Sequence, residues 1–109
     1  MNASQTERSA LASPLNFPPT NYRIKTAGRG WTFILNRLGF VGITLPTRTI
    51  YIHPSHVGQQ WLINHEMAHI AQIDRDGPLK FWPKILADYF IHGHKNSPYE
   101  IEARRYEAQ

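Results

Sequence analysis

The segment LINHEMAHIAQ, Leu62 to Gln72, reads as the helix around which the rest of the chain is organised. Leu62, Met67, Ile70 and Ile73 supply apolar faces around it, among small and apolar neighbours such as Ile63, Ala68 and Ala71. Pro54-Ser55 is expected to open the helix, with Ser55 as its N-cap. It should then run from His56 or Val57 to Asp74 or Arg75, where Gly77-Pro78 stops it.

This helix carries two histidines, His65 and His69, four residues apart. That spacing places both side chains on one face, a turn apart, so the imidazoles can converge on a single ion. Zinc suits neutral imidazole, and a catalytic zinc site takes three protein ligands and keeps one position open. Glu66 lies about 100° round the helix from His65 and leans toward that open position. A general base for a metal-activated water belongs there. A shuffled chain with six His and five Glu would carry His-Glu-x-x-His in roughly one case in a hundred, so the pattern favours a site over coincidence.

Two histidines leave a catalytic zinc site one ligand short. A metzincin continuation would need a further His soon after His69, and IAQIDRDGPLK has none. Asp74 lies too far round and along the helix, and reads as part of its C-terminal turn. The remaining candidates are in HGHKNSPYEIEARRYE: His92, His94, Glu100 and Glu102. Glu100 and Glu102 are about 200° apart on a helix, so at most one can aim at the ion. Ser97-Pro98-Tyr99-Glu100 also has the form of a capping box, with Ser at N-cap, Pro at N1 and Glu at N3. If Glu100 caps its own helix, Glu102 becomes the ligand, and spacing leaves the two open.

Outward from the metal helix, residues 1–20 are rich in Ser, Asn, Ala and Pro and read as a flexible N-terminal segment. Residues 21–109 then form one domain, a length that suits a single small core. YRIKT, WTFILN, FVGIT and TIYIH are short, aromatic and β-branched, and are punctuated by Gly28, Gly30, Gly39 and Pro46. They predict an antiparallel meander of three or four strands, with a bulge or weak strand at Gly42. A second helix is expected over Leu79–His92, interrupted or kinked at Pro83, and a third from Ser97-Pro98 onward. The fold class is therefore α+β: a short antiparallel meander followed by three helices. Trp31, Trp61, Phe81, Trp82 and Phe90 read as core, and KFWPKILADYF has some likeness to a membrane-surface helix.

Composition narrows the functional classes. The chain has no cysteine, so any metal is held by His, Asp or Glu. Its formal charge of +4 is scattered, with Arg104-Arg105 the only adjacent basic pair, which suits a solvated surface better than a nucleic-acid interface. No apolar run approaches a membrane span, and the N-terminus does not read as a signal peptide, so the expected location is cytoplasmic. Oligomeric state leaves no signal in the sequence.

His65-Glu66-x-x-His69 with Gln72, followed some thirty residues later by Glu100-Ile101-Glu102-Ala103, resembles the small gluzincin-type metallopeptidase domains, minimal relatives of thermolysin. The resemblance spans roughly Ile50 to Tyr106. It implies a zincin-like fold, zinc-dependent hydrolysis of peptide bonds in a protein or peptide substrate, His65, His69 and Glu100 as zinc ligands and Glu66 as the base. Ala103, one turn past Glu100, would let two helices approach. Many members place Asp one residue after that Ala as a partner to a zinc histidine, whereas this chain has Arg104. The resemblance further implies that the strand before the metal helix, here TIYIH, is an edge that pairs with substrate. His53 and His56 beside it read as loop or cap residues. His92, His94, Tyr99 and Arg104 are candidate donors to the developing oxyanion. The competing expectation is a zinc-stabilised binding or regulatory module, phage- or secretion-associated, which would have no use for Glu66.

Overall fold

The computed structural model of the chain describes residues 14–93 and 96–109, without the side chain of His92. Among these residues the architecture is α+β, with three strands and four α-helices. In chain order they are β1 (Arg23–Thr26), α1 (Arg29–Leu38), β2 (Gly42–Thr44), β3 (Thr49–Ile52), a 3-10 turn (Pro54–His56), α2 (Gln60–Asp76), α3 (Pro78–His92) and α4 (Pro98–Arg104).

The sheet corrects the expected meander. Its order is β1-β3-β2, with β3 antiparallel to β2 but parallel to β1. WTFILN, expected as a strand, lies in α1, and this also raises the helix count from three to four. Gly28 stands at its N-cap, and Gly39 ends it in the left-handed region at φ 74°, donating its N–H to the Leu35 and Asn36 carbonyls. Such a glycine stop closes many helices. Trp31 and Leu35, one turn apart, turn inward, and Trp31 stacks on Tyr51 of β3 with ring centroids 4.9 Å apart. A helix between β1 and β2 supplies the long crossover that parallel pairing with β3 requires.

Helix α2 also begins later than expected. Ser55 caps no α-helix: its N–H donates to His53 Nδ1 at 3.1 Å, closing the 3-10 turn. Gly58, at φ 86°, then redirects the chain before α2 starts at Gln60. At the other end α2 stops at Gly77 as expected, and α3 runs through Pro83 without ending there.

Three clusters pack around α2. Ile50 and Ile52 of β3 meet Leu62, Met67 and Ile70. Ala68 and Ala71 meet Ala103 of α4, and their small side chains let the two helices approach closely. Ile73, Phe81 and Tyr99 join α2 to α3 and α4. Each large apolar side chain buried this way contributes about 1.5–3 kcal/mol. Part of the expected N-terminal segment also joins this core. Residues 1–13 lie outside the described residues, but Leu15 is buried against the alanine cluster, and its N–H donates to the Tyr106 hydroxyl at 3.3 Å. Phe17 packs against the Tyr106 ring, 5.0 Å away. Of the expected core aromatics, Phe81 is buried and Trp82 partly so, while Trp61 and Phe90 are exposed.

Candidate metal centre

One face of α2 turns His65 and His69 toward the start of α4, where Glu100 meets both. His65 Nε2 lies 2.8 Å from Glu100 Oε1, and His69 Nε2 lies 3.0 Å from Glu100 Oε2. The capping box does not form: Ser97 is the N-cap, but its hydroxyl makes no bond to the helix. Glu100 is drawn across to the histidines instead.

The hydrogen bonds behind the rings orient each imidazole, with Nε2 toward Glu100. The Gln72 amide group donates to the Tyr99 carbonyl at 2.8 Å and to Glu102 Oε1 at 2.9 Å, both of which only accept. Gln72 Oε1 must therefore face His69, and it accepts from Nδ1–H at 2.8 Å. Behind His65, the Glu107 carboxylate accepts from Nδ1–H at 2.8 Å. When a ring is neutral and keeps its proton on Nδ1, its Nε2 lone pair faces Glu100. Two lone pairs and a buried carboxylate are three acceptors facing one another, an arrangement that repels unless a cation lies among them.

The donor set fits a metal ion. Single ligand atoms from His65, His69 and Glu100 all lie within 4.8 Å of one another, and all three residues are buried. Zinc with bonds of ~2.0–2.1 Å keeps neighbouring ligand atoms roughly 3.4 Å apart, so three such atoms suit one ion. Without a metal, a proton balances the charge. Burial opposes a charged imidazole at His69, yet the Glu100 carboxylate, Glu66 and Gln72 outweigh it and raise the pKa from 6.5 to about 9. Burial likewise opposes charge at His65, and the bond to Glu100 leads a net rise there.

A folded-state pKa above the unfolded value stabilises the protonated form. In the metal-free protein the His69 contribution is therefore fully present below pH 6.5 and is lost as the pH rises toward about 9. A metal must displace that proton. Zinc affinity is accordingly expected to climb with pH up to about 9 and then level off. Calorimetry in buffers of different ionisation enthalpy should record proton release on zinc binding. Uptake with no proton release contradicts the assignment.

Glu102 serves elsewhere. It accepts from Arg75 Nη1 at 2.6 Å and Nη2 at 3.0 Å, and from Gln72, so it holds the residue that orients His69. Asp76 shares Arg75 and accepts the Tyr99 hydroxyl at 2.8 Å. Tyr99, a candidate oxyanion donor, is thereby core and turned to Asp76. The side chain of His92, and His94 as a whole, lie outside the described residues. His53 bonds Asn36 and Ser55, as a loop residue would. Asp74 pairs with Arg48 at 2.6 Å.

Glu66 is buried between α2 and β2. The Thr44 hydroxyl lies 2.9 Å from its Oε1, and Oε2 sits beside Gly42. A Cβ at Gly42 would meet Leu62 Cδ1 at 3.3 Å and Glu66 Oε2 at 3.4 Å, so the glycine makes room for the carboxylate. Glu66 and Glu100 line the floor of two adjoining hollows along β2. One, of about 150 Å³, is walled by Phe40, Phe81, Trp82, Ile85 and Tyr89. The other runs past His65, Trp61, Arg104 and Glu107. Of the expected donors among the described residues, Arg104 lines a hollow together with Glu66.

No protein-family model matches this chain, and no curated protein or solved structure matches it either.

Sequence reading missed three contributors: Gly42, Thr44 and Glu107. Glu107 left a trace, since it lies seven residues after Glu100, on the same side of a continued helix. It is held there because Asn64 of α2 donates to the Glu107 carbonyl at 3.2 Å and the Gln109 carbonyl at 3.0 Å. Changing Glu107 to Ala should lower zinc affinity about 10–100-fold, read by competition with a chelating dye, while the fold persists. Unchanged affinity would show that His65 needs no carboxylate behind it.

Proposed function

We propose that this chain is a zinc-dependent peptidase with a zincin-like, gluzincin-type centre. The observation that carries the reading is the convergence of two imidazole nitrogens on Glu100, with Glu66 beside them at the floor of a groove. His65, His69 and Glu100 would hold the ion. When bound, zinc supplies a Lewis acid that polarises a carbonyl and makes water acidic near neutral pH. Glu66 takes the proton of the attacking water and passes it to the leaving amine. Thr44 holds one Glu66 oxygen and leaves Oε2 beside Gly42 for that exchange. Arg104 is the described side chain suited to the carbonyl oxygen as charge develops on it.

The substrate strand finds its place at β2, not at TIYIH. β3 is paired on both sides and has no free edge. The β2–β3 ladder uses the Val41 carbonyl and the Leu45 N–H, so alternation turns the backbone groups of Gly42 and Thr44 outward. An extended peptide added there lies along both hollows and across Glu66. Zinc analysis together with cleavage of a mixed peptide library tests the proposal. A chain that takes up no zinc, or that cleaves equally well after Glu66→Gln, overturns it.

A further inference from the structure

Helix α3 turns one face inward and leaves the opposite face bare. Phe81 and Asp88 point to the interior, and Trp82, Ile85 and Tyr89 wall the groove beside the metal centre. On the outer side Leu79 is 91% exposed, Phe90 84%, Ile91 71% and Leu86 55%. Leu79, Leu86 and Phe90, with exposed Pro83 between them, fall within about 60° on a helical wheel. A single exposed leucine is ordinary, but a contiguous apolar ridge on one helix is not.

Charge identifies the occupant. Lys80 and Lys84, both exposed, lie along one side of the ridge. The helix's one acid, Asp88, sits away from the ridge, buried, and accepts from Lys84 at 3.3 Å. The exposed face therefore combines large apolar side chains with a net positive charge, two lysines against one acid. We propose that this face of α3 docks on an anionic lipid surface, with Leu79, Leu86 and Phe90 entering the headgroup boundary. Lysine stems can lie along the apolar surface while their ammonium groups meet lipid phosphates. A chain of net charge +4 adds to the attraction. No described helix is long and apolar enough to cross a bilayer, so the association is peripheral. Leu86 belongs to both the ridge and the groove wall, which places the groove mouth next to the lipid. Substrates would then be peptide segments lying at a membrane surface.

Co-sedimentation of the full chain with phosphatidylcholine vesicles, with and without one-third phosphatidylglycerol, tests the proposal. Binding is expected to the anionic vesicles and to fall with added salt. Leu79→Ser with Phe90→Ser should weaken it about tenfold or more, at sites exposed enough to leave the fold intact. Lys80→Gln should cost roughly fivefold. Circular dichroism of each variant checks the fold. Absence of vesicle binding by the wild type overturns the proposal. So does dimerisation without lipid that the Leu79 and Phe90 changes abolish, because the ridge is then an interface between copies. The partition is measured with and without zinc, so its failure leaves the peptidase reading untouched.

Discussion

Glu66→Gln is expected to keep zinc bound and to lower peptide hydrolysis by about 10²–10⁴-fold, the range that a positioned acid–base group contributes. The substitution is close to isosteric. Thr44 can still bond the side-chain oxygen, and Gly42 still leaves the room, so packing between α2 and β2 should hold. The ligand set is untouched, because Glu66 neither meets a histidine nitrogen nor belongs to the His65, His69 and Glu100 group. Metal content and thermal stability should therefore match the wild type while cleavage disappears. Loss of zinc together with activity would place Glu66 among the ligands. Retained cleavage would remove it from the chemistry altogether.

Glu100 and Glu102 should separate just as clearly. Glu100→Gln removes the negative ligand and leaves an amide between two imidazoles, so zinc affinity should drop by several orders of magnitude. Glu102→Gln should retain zinc but lose stability. Arg75 is nearly buried and its bonds to Glu102 and Asp76 outweigh the burial that opposes its charge. Removing one partner of a buried pair costs about 3–5 kcal/mol, and the lower end applies here because Asp76 keeps a hold on Arg75. The new amide also sets an N–H₂ group against a donor of Arg75 or Gln72 where a carboxylate oxygen accepted before. Chemical denaturation paired with zinc titration reads both effects. If Glu102→Gln abolishes metal binding while Glu100→Gln does not, the ligand assignment is reversed.

The two regions that the sequence rendered poorly share a cause. WTFILN has strand-forming residues, but local propensity is weak against the Gly28 and Gly39 boundaries and the inward turn of Trp31 and Leu35. Phe90 and Trp61 read as core because aromatics commonly are, whereas helix rotation puts Phe90 on the outer side of α3. In both cases the deciding interaction is non-local.

By itself the sequence determined the α2 helix, its Gly77-Pro78 stop, and the shared face of His65 and His69, because helical periodicity is a property of neighbours along the chain. It also restricted the third ligand to His92, His94, Glu100 or Glu102. Which one meets the histidines was decided by tertiary structure. Ser97-Pro98-Tyr99-Glu100 satisfies the capping-box pattern and Glu102 is chemically identical to Glu100, so no local rule separates them. The alanine contact of α4 with α2 sets the rotation of α4, and Arg75 claims Glu102. Glu100 is then the carboxylate left facing the two imidazole Nε2 atoms. The same packing brings Thr44, Gly42 and Glu107 to the site from 22, 24 and 41 residues away from Glu66, distances over which sequence periodicity carries no information.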